Sequence, residues 1–277
     1  MKLESSHLEL GPPPAHIWQL FAMWRQPRLA GGFFIAVAVL SAFRLVCFRF
    51  DPLPGEARFM PFFILGPLAA VLFGPAGVWA APAASLLGGF LASPWSDIEW
   101  FRAGGEFAAA MHVFAFWDSS FVRRTSALAL APAWRQVVRF VALAVPAGLI
   151  GAAWSALGVE LTGGGPFARA AALEAVQVLV FVVVLAPPLF RIAARDFAGT
   201  LGDWRAVAGQ SGRLAHWRPA GLAAACISAT ITLPLGVLYT TDVSGRWPWA
   251  AAHPGGGLPE LMAGLQAFHL LVILWPD

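Results

Sequence analysis

The sequence predicts an all-α integral membrane protein, a polytopic bundle of about eight transmembrane helices. Two observations carry that prediction. Hydrophobic residues make up 58% of the 277 and charged residues only 12%, and the mean hydropathy is +0.69, well outside the range of a soluble domain. The apolar residues also fall into runs near the 20 or so that a helix needs to cross hydrocarbon.

Taken in order, the runs lie at 31–49, at 59–96, at 104–117, at 137–158, at 168–190, at 219–240 and at 258–275. The stretch 59–96 is too long for one crossing and carries no charge, so it reads as two helices turning at Gly74-Pro75. The 104–117 run is the weakest of the set. This divides the chain into a tail over 1–30, a six-helix membrane core over 31–192, a basic loop over 193–218 and two further helices over 219–277.

Ahead of the first run, "HIWQLFAMWRQ" places Ile17, Leu20, Phe21 and Trp24 at helical spacing, which predicts an amphipathic segment on the inner membrane surface. The acidic residues and proline run before it are unlike a signal peptide. Arginines concentrate in alternate loops, and the positive-inside rule then puts both termini on the cytoplasmic side of the inner membrane. The net charge of +3 is a topology signal with no nucleic-acid footprint.

Cys47 and Cys226 sit in apolar runs and imply no disulfide framework. There is no phosphate loop and no dinucleotide fingerprint. The six histidines are scattered, so neither an enzyme nor a cofactor or metal site is expected. His112 and His269 alone fall within runs, where packing competes with axial haem ligation.

The segment 58–92 holds four prolines and five glycines. In membrane helices such residues are tolerated where neighbouring helices satisfy the freed backbone groups, and small side chains let helices approach closely. Its order of signals, "RFMP", then "FILGPLAAVLFGPAG", then "SLLGGFL", resembles the substrate-binding S components of energy-coupling factor transporters. "GGEFAAAMHVFAFWDSSFVRR" is similar to the fourth helix of that family, with Glu106 where Asn is usual, and "LAPPLFRIAARD" is similar to its exit into the cytoplasm. The resemblance covers roughly residues 31–200, and the last two runs lie outside the six-helix module.

The resemblance implies capture of a vitamin-like small molecule on the outer side, with a separate transmembrane coupling subunit and ATPases as partners. It also implies that Ala38 and Ala42 of "AVLSA" dock on the coupling partner; packing within the chain is the alternative.

Candidate ligand contacts follow from chemistry and depth. Glu174 and Gln177 lie two to three turns inside the 168–190 run, where a carboxylate is costly unless it faces a cavity or a partner. An ion pair with Arg169 or Arg44 is the structural alternative. Glu106 stands at the top of its helix, and Trp100, Trp95 and Trp154 offer rings for a flat or cationic ligand or form an interfacial belt. "SPWSDIEWFRAGG" reads as an outer loop, a lid or a connector. Arg58 and Arg102 suit a carboxylate, whereas the acidic excess outside favours a cationic or zwitterionic ligand.

Two other functions stay open. One is a sensory membrane input module, which also has eight helices and prolines such as Pro187 and Pro188; its usual output domain is not expected in a sequence ending at Asp277. The other is an auxiliary or assembly subunit of a larger membrane complex.

Overall fold

The structure is a computed structural model that describes residues 20–21, 23–25, 27–49, 61–92, 96–117, 132–163 and 167–196, with isolated positions between 227 and 269. The described residues are helical throughout apart from short turns. Four helices are long and apolar enough to cross a membrane: Pro27–Cys47, Pro75–Ala92, Trp134–Leu161 and Phe167–Ala193. The chain is an integral membrane protein. The two expected C-terminal spans, the 193–218 loop and most of the tail lie outside the described residues, so the count of eight is not established.

Helix α1 (Pro27–Arg49) turns Leu29, Ala36, Ser41, Arg44 and Cys47 inward, a 3.6-residue stripe on one face. Phe34, Ile35, Val39, Phe43 and Val46 are exposed on the other, as a lipid-facing surface requires. Ala38 and Ala42 are on that exposed side, so packing within the described bundle does not account for them.

A 3₁₀ turn (Pro61–Ile64) leads into α2 (Leu65–Phe73). Nine residues rise only about 14 Å, under half the hydrocarbon thickness. The expected second crossing is therefore a half-length helix, and α2 is buried along most of its length. The expected turn is present: Gly74 adopts φ 57°, ψ −129°, open to glycine alone. Pro75 then begins α3 (Pro75–Ala92), where its fixed φ suits a first helical residue. At Gly77 the two backbones meet, since a β-carbon there would lie 2.0 Å from the Ala69 carbonyl oxygen.

Helix α4 (Ile98–Trp117) is the centre of the bundle. It packs on α2, α3 and α5 (Pro132–Leu161), and every residue from Ala108 to Trp117 is buried. It begins earlier than the 104–117 run, which corrects the reading of "SPWSDIEWFRAGG" (93–105) as an outer loop or lid from Ile98 onward. Ser96 and Asp97 instead accept the first amide hydrogen bonds, from Glu99 and Trp100.

The last described rod is α6 (Phe167–Val180), a π-helical turn (Phe181–Leu185) and α7 (Ala186–Asp196). The Ala186 amide donates to the Phe181 carbonyl, five residues back. Pro187 and Pro188 follow with no amide protons, and the wide turn takes up the interruption they cause. Near α7 Phe140 stacks on Phe190 at 4.9 Å, and Arg139 lies 4.3 Å over the Trp117 ring.

At the expected amphipathic segment, Leu20 is buried and its carbonyl accepts from Trp79 Nε1 at 3.1 Å, while Phe21 and Trp24 are about half exposed. The segment packs on α3 as well as facing outward.

The Gly77–Ala69 approach leaves no room for a methyl group. Gly77→Ala is expected to cost about 1–3 kcal/mol, the usual penalty for overpacking, read as a lowered thermal midpoint in detergent. An unchanged midpoint would contradict the close approach of α2 and α3.

Candidate functional site

Helix α4 carries Glu99, Arg102 and Glu106 at spacings of three and four, which puts them on one face. All three are buried, and the face looks toward α1 and α3. Arg44 of α1 reaches it, with Nη2 donating to Glu99 Oε2 at 2.9 Å and Nη1 to Ser85 Oγ at 2.5 Å. Arg102 Nη1 donates to the other carboxylate oxygen, Oε1, at 2.6 Å. Glu99 is thus held between two guanidinium groups, with side chains 4%, 2% and 9% exposed for Arg44, Glu99 and Arg102.

Gly88 and Gly89 make room for this ion triad. A β-carbon on Gly88 would lie 2.6 Å from Arg44 Cδ, and one on Gly89 would lie 2.7 Å from Glu99 Oε2. The pair in "SLLGGFL" therefore lets a salt bridge cross over α3.

Deeper in the bundle, Glu106 shares a cavity of ≈ 20 Å³ with Arg44, Ser85, Leu40, Leu65 and Gly66. Gly66 is tight against it, with a would-be β-carbon 2.6 Å from Glu106 Oε2. On the far side of α4, Glu174 of α6 is 6% exposed. Ser155 Oγ of α5 donates to its Oε1 at 2.7 Å, its Oε2 has no hydrogen-bond partner among the described residues, and the Arg102 charge acts on it. The polar groups, together called the seam below, are two buried hydrogen-bonded sets: Ser85, Arg44, Glu99 and Arg102, with Glu106 beside Arg44, and Ser155 with Glu174.

The expected site residues divide accordingly. Glu106, Arg102 and Glu174 are in the seam. Arg102 is committed to Glu99, which does not favour its use as a carboxylate clamp. Trp154 packs its ring against Gly104 and its β-carbon against Gly105, and its buried Nε1 has no partner among the described residues. Gln177 is half-buried on α6, and Trp100 is 59% exposed, away from the buried groups. Arg58 and Trp95 lie outside the described residues. Of the two arginines considered as partners for Glu174, Arg44 goes to Glu99 and Ser85 instead, and Arg169 is exposed.

His112 and His269 are buried and stack at 5.3 Å with 16° between planes. That contact leaves no space for a porphyrin between the rings. Among the described residues no group of three His, Cys, Asp or Glu side chains is placed to hold a metal ion.

Sequence reasoning missed Ser85 and Ser155, whose roles depend on helix rotation. It also left Glu99 in an outer loop; the spacing of Glu99 from Arg102 and Glu106 is the signal that could have found it. No protein-family model, curated protein or solved structure matches the chain.

Removing one member of a buried ion cluster strands its partners. Glu99→Ala is expected to destabilise the protein by about 3–5 kcal/mol, more than Trp100→Ala one residue away. Equal, small losses for the two variants, measured by thermal unfolding, would show that the triad contributes little.

Proposed function

We propose that the chain is a protein of the cytoplasmic membrane, both termini inside, that captures a small cationic or zwitterionic solute at the buried seam. It has no ATPase of its own and leaves the energetic step to a separate coupling subunit and nucleotide-hydrolysing partners, as the resemblance to the S components implies. Ala38 and Ala42, on the exposed side of α1, are the surface offered to that subunit.

The observation that carries the reading is the charge of the seam. Three carboxylates, Glu99, Glu106 and Glu174, face two guanidinium groups, Arg44 and Arg102, all buried. One formal negative charge is left over among the described residues. Ionisable side chains at membrane depth are costly and tend to mark solute or ion pathways, and this excess attracts a positive group. Glu174 Oε2 and Trp154 Nε1, both buried without partners among the described residues, supply an acceptor and a donor for a solute between α5 and α6.

Among the described residues, the cavity at the seam is small for such a solute. A cavity of ≈ 20 Å³ admits a water, whereas drug-sized ligands occupy several hundred Å³. Capture therefore requires helices to part around the seam. Helix α6 is the element to move, because it meets the seam through the Ser155–Glu174 hydrogen bond rather than through the triad.

Thermal-shift titration of the purified full chain against primary amines, quaternary amines and vitamin-sized zwitterions tests this reading. A ligand at a hundredfold over its Kd stabilises by about 2.7 kcal/mol, and Glu174→Gln is expected to lose that gain. Equal stabilisation of mutant and wild type would remove Glu174 from the site, and no stabilisation by any compound would overturn solute capture.

A further inference from the structure

The cavity beside Glu106 narrows which cation the seam holds while it is closed. Its ≈ 20 Å³ is the space of a single water. Its polar lining consists of Glu106, Arg44 and Ser85. A hard metal cation needs about six oxygen ligands, whereas this lining presents one carboxylate, one hydroxyl and a guanidinium of like charge. An ammonium group would meet the same guanidinium in too small a space. A proton fits both limits, since it adds no volume and is carried on the carboxyl itself.

Among the described residues, the positive charge that Glu106 meets at the cavity is that of Arg44. From α1 it faces Arg44, whose guanidinium already serves Glu99 and Ser85. Helices α2 and α3 carry no ionisable residue, and α5 carries none between Arg139 and Glu160. On α4 itself Arg102 is bonded to Glu99, and beyond it α6 contributes Glu174, another carboxylate. Gly66 lets the Glu106 carboxyl lie against the α2 backbone, so it cannot swing toward a different partner on that side.

We infer that Glu106 is a proton-binding site of the seam, loaded through the cavity water. A hydronium in the cavity gives its proton to a carboxylate oxygen of Glu106 and remains as water, and the carboxyl then donates to that water or to Ser85. This deepens the proposed function by naming the ion that shares the seam with the solute. The loaded seam is formally neutral, so a cationic solute arriving at Glu174 restores the balance only if Glu106 gives its proton up. Solute and proton then exchange at the seam.

Infrared spectra of the full chain in proteoliposomes test the site without a solute. The expected result is a protonated-carboxyl C=O band near neutral pH that shifts on ¹³C-glutamate labelling, disappears in Glu106→Gln and persists in Glu174→Gln. Should Glu106→Gln fail to fold, Glu106→Asp keeps the acid and is expected to move the band out of the labelled glutamate signal. A band that survives both Glu106 substitutions unchanged, or the absence of any such band while the protein is folded, overturns the proton site. Amine-dependent stabilisation without the band overturns this inference and leaves solute capture standing; the band without amine stabilisation supports the proton site and removes solute capture alone.

Discussion

The contact on which the bundle depends is the sharing of Glu99 between Arg44 and Arg102. Each guanidinium carries a desolvation cost in the interior, and the single carboxylate offsets both because its two oxygens point in different directions. The interaction ties α1 to α4 across 55 residues of sequence, and Ser85 adds α3 to the same node. Buried ion pairs often contribute little net stability against apolar replacements of equal volume. Their retention at this depth is better explained by what they fix: the rotation of α4, which sets where Glu106 points.

Small residues make that arrangement possible. Gly88 and Gly89 leave a trough in α3 into which Arg44 and Glu99 fit, and Gly105 lets the Trp154 side chain and the Gly151 backbone come against α4. Membrane helices gain little from burying apolar surface against each other, because lipid is equally apolar. Close backbone approach and satisfied polar contacts have to supply the specificity instead. The glycines of "SLLGGFL" and "RAGGEF" are therefore part of the electrostatic design as much as of the packing.

Hydropathy read α1, α5 and α6 well, since each is a long apolar run with lipid on one side. It failed at the start of α4, because Glu99 and Arg102 look like loop residues until Arg44 and each other neutralise them. It also gave α2 a full crossing, as nothing in "LGPLAAVLF" distinguishes a half-length helix buried in protein from one exposed to lipid. The turn at Gly74-Pro75 was legible because only glycine adopts that backbone and proline favours a helix start. Glu174 stood out by its depth, whereas its partner Ser155 did not: a serine in an apolar helix has no signature until the neighbouring helix is placed.

The wide turn at Phe181–Leu185 solves a problem of phase. In an unbroken α-helix each residue advances about 100°, and on that count Ala186, Phe190 and Ala193 would lie about 100–160° around from Glu174. Yet all four are buried. One surplus residue in the turn winds the helix back by about one step, returning α7 to the same side as α6. Valines 183 and 184 and Leu185 bulge toward lipid as the compensating convexity. The two ends of this rod can thus face one interior only while the surplus residue stays where it is, and a shift of that defect by a turn in either direction would rotate the segment it crosses.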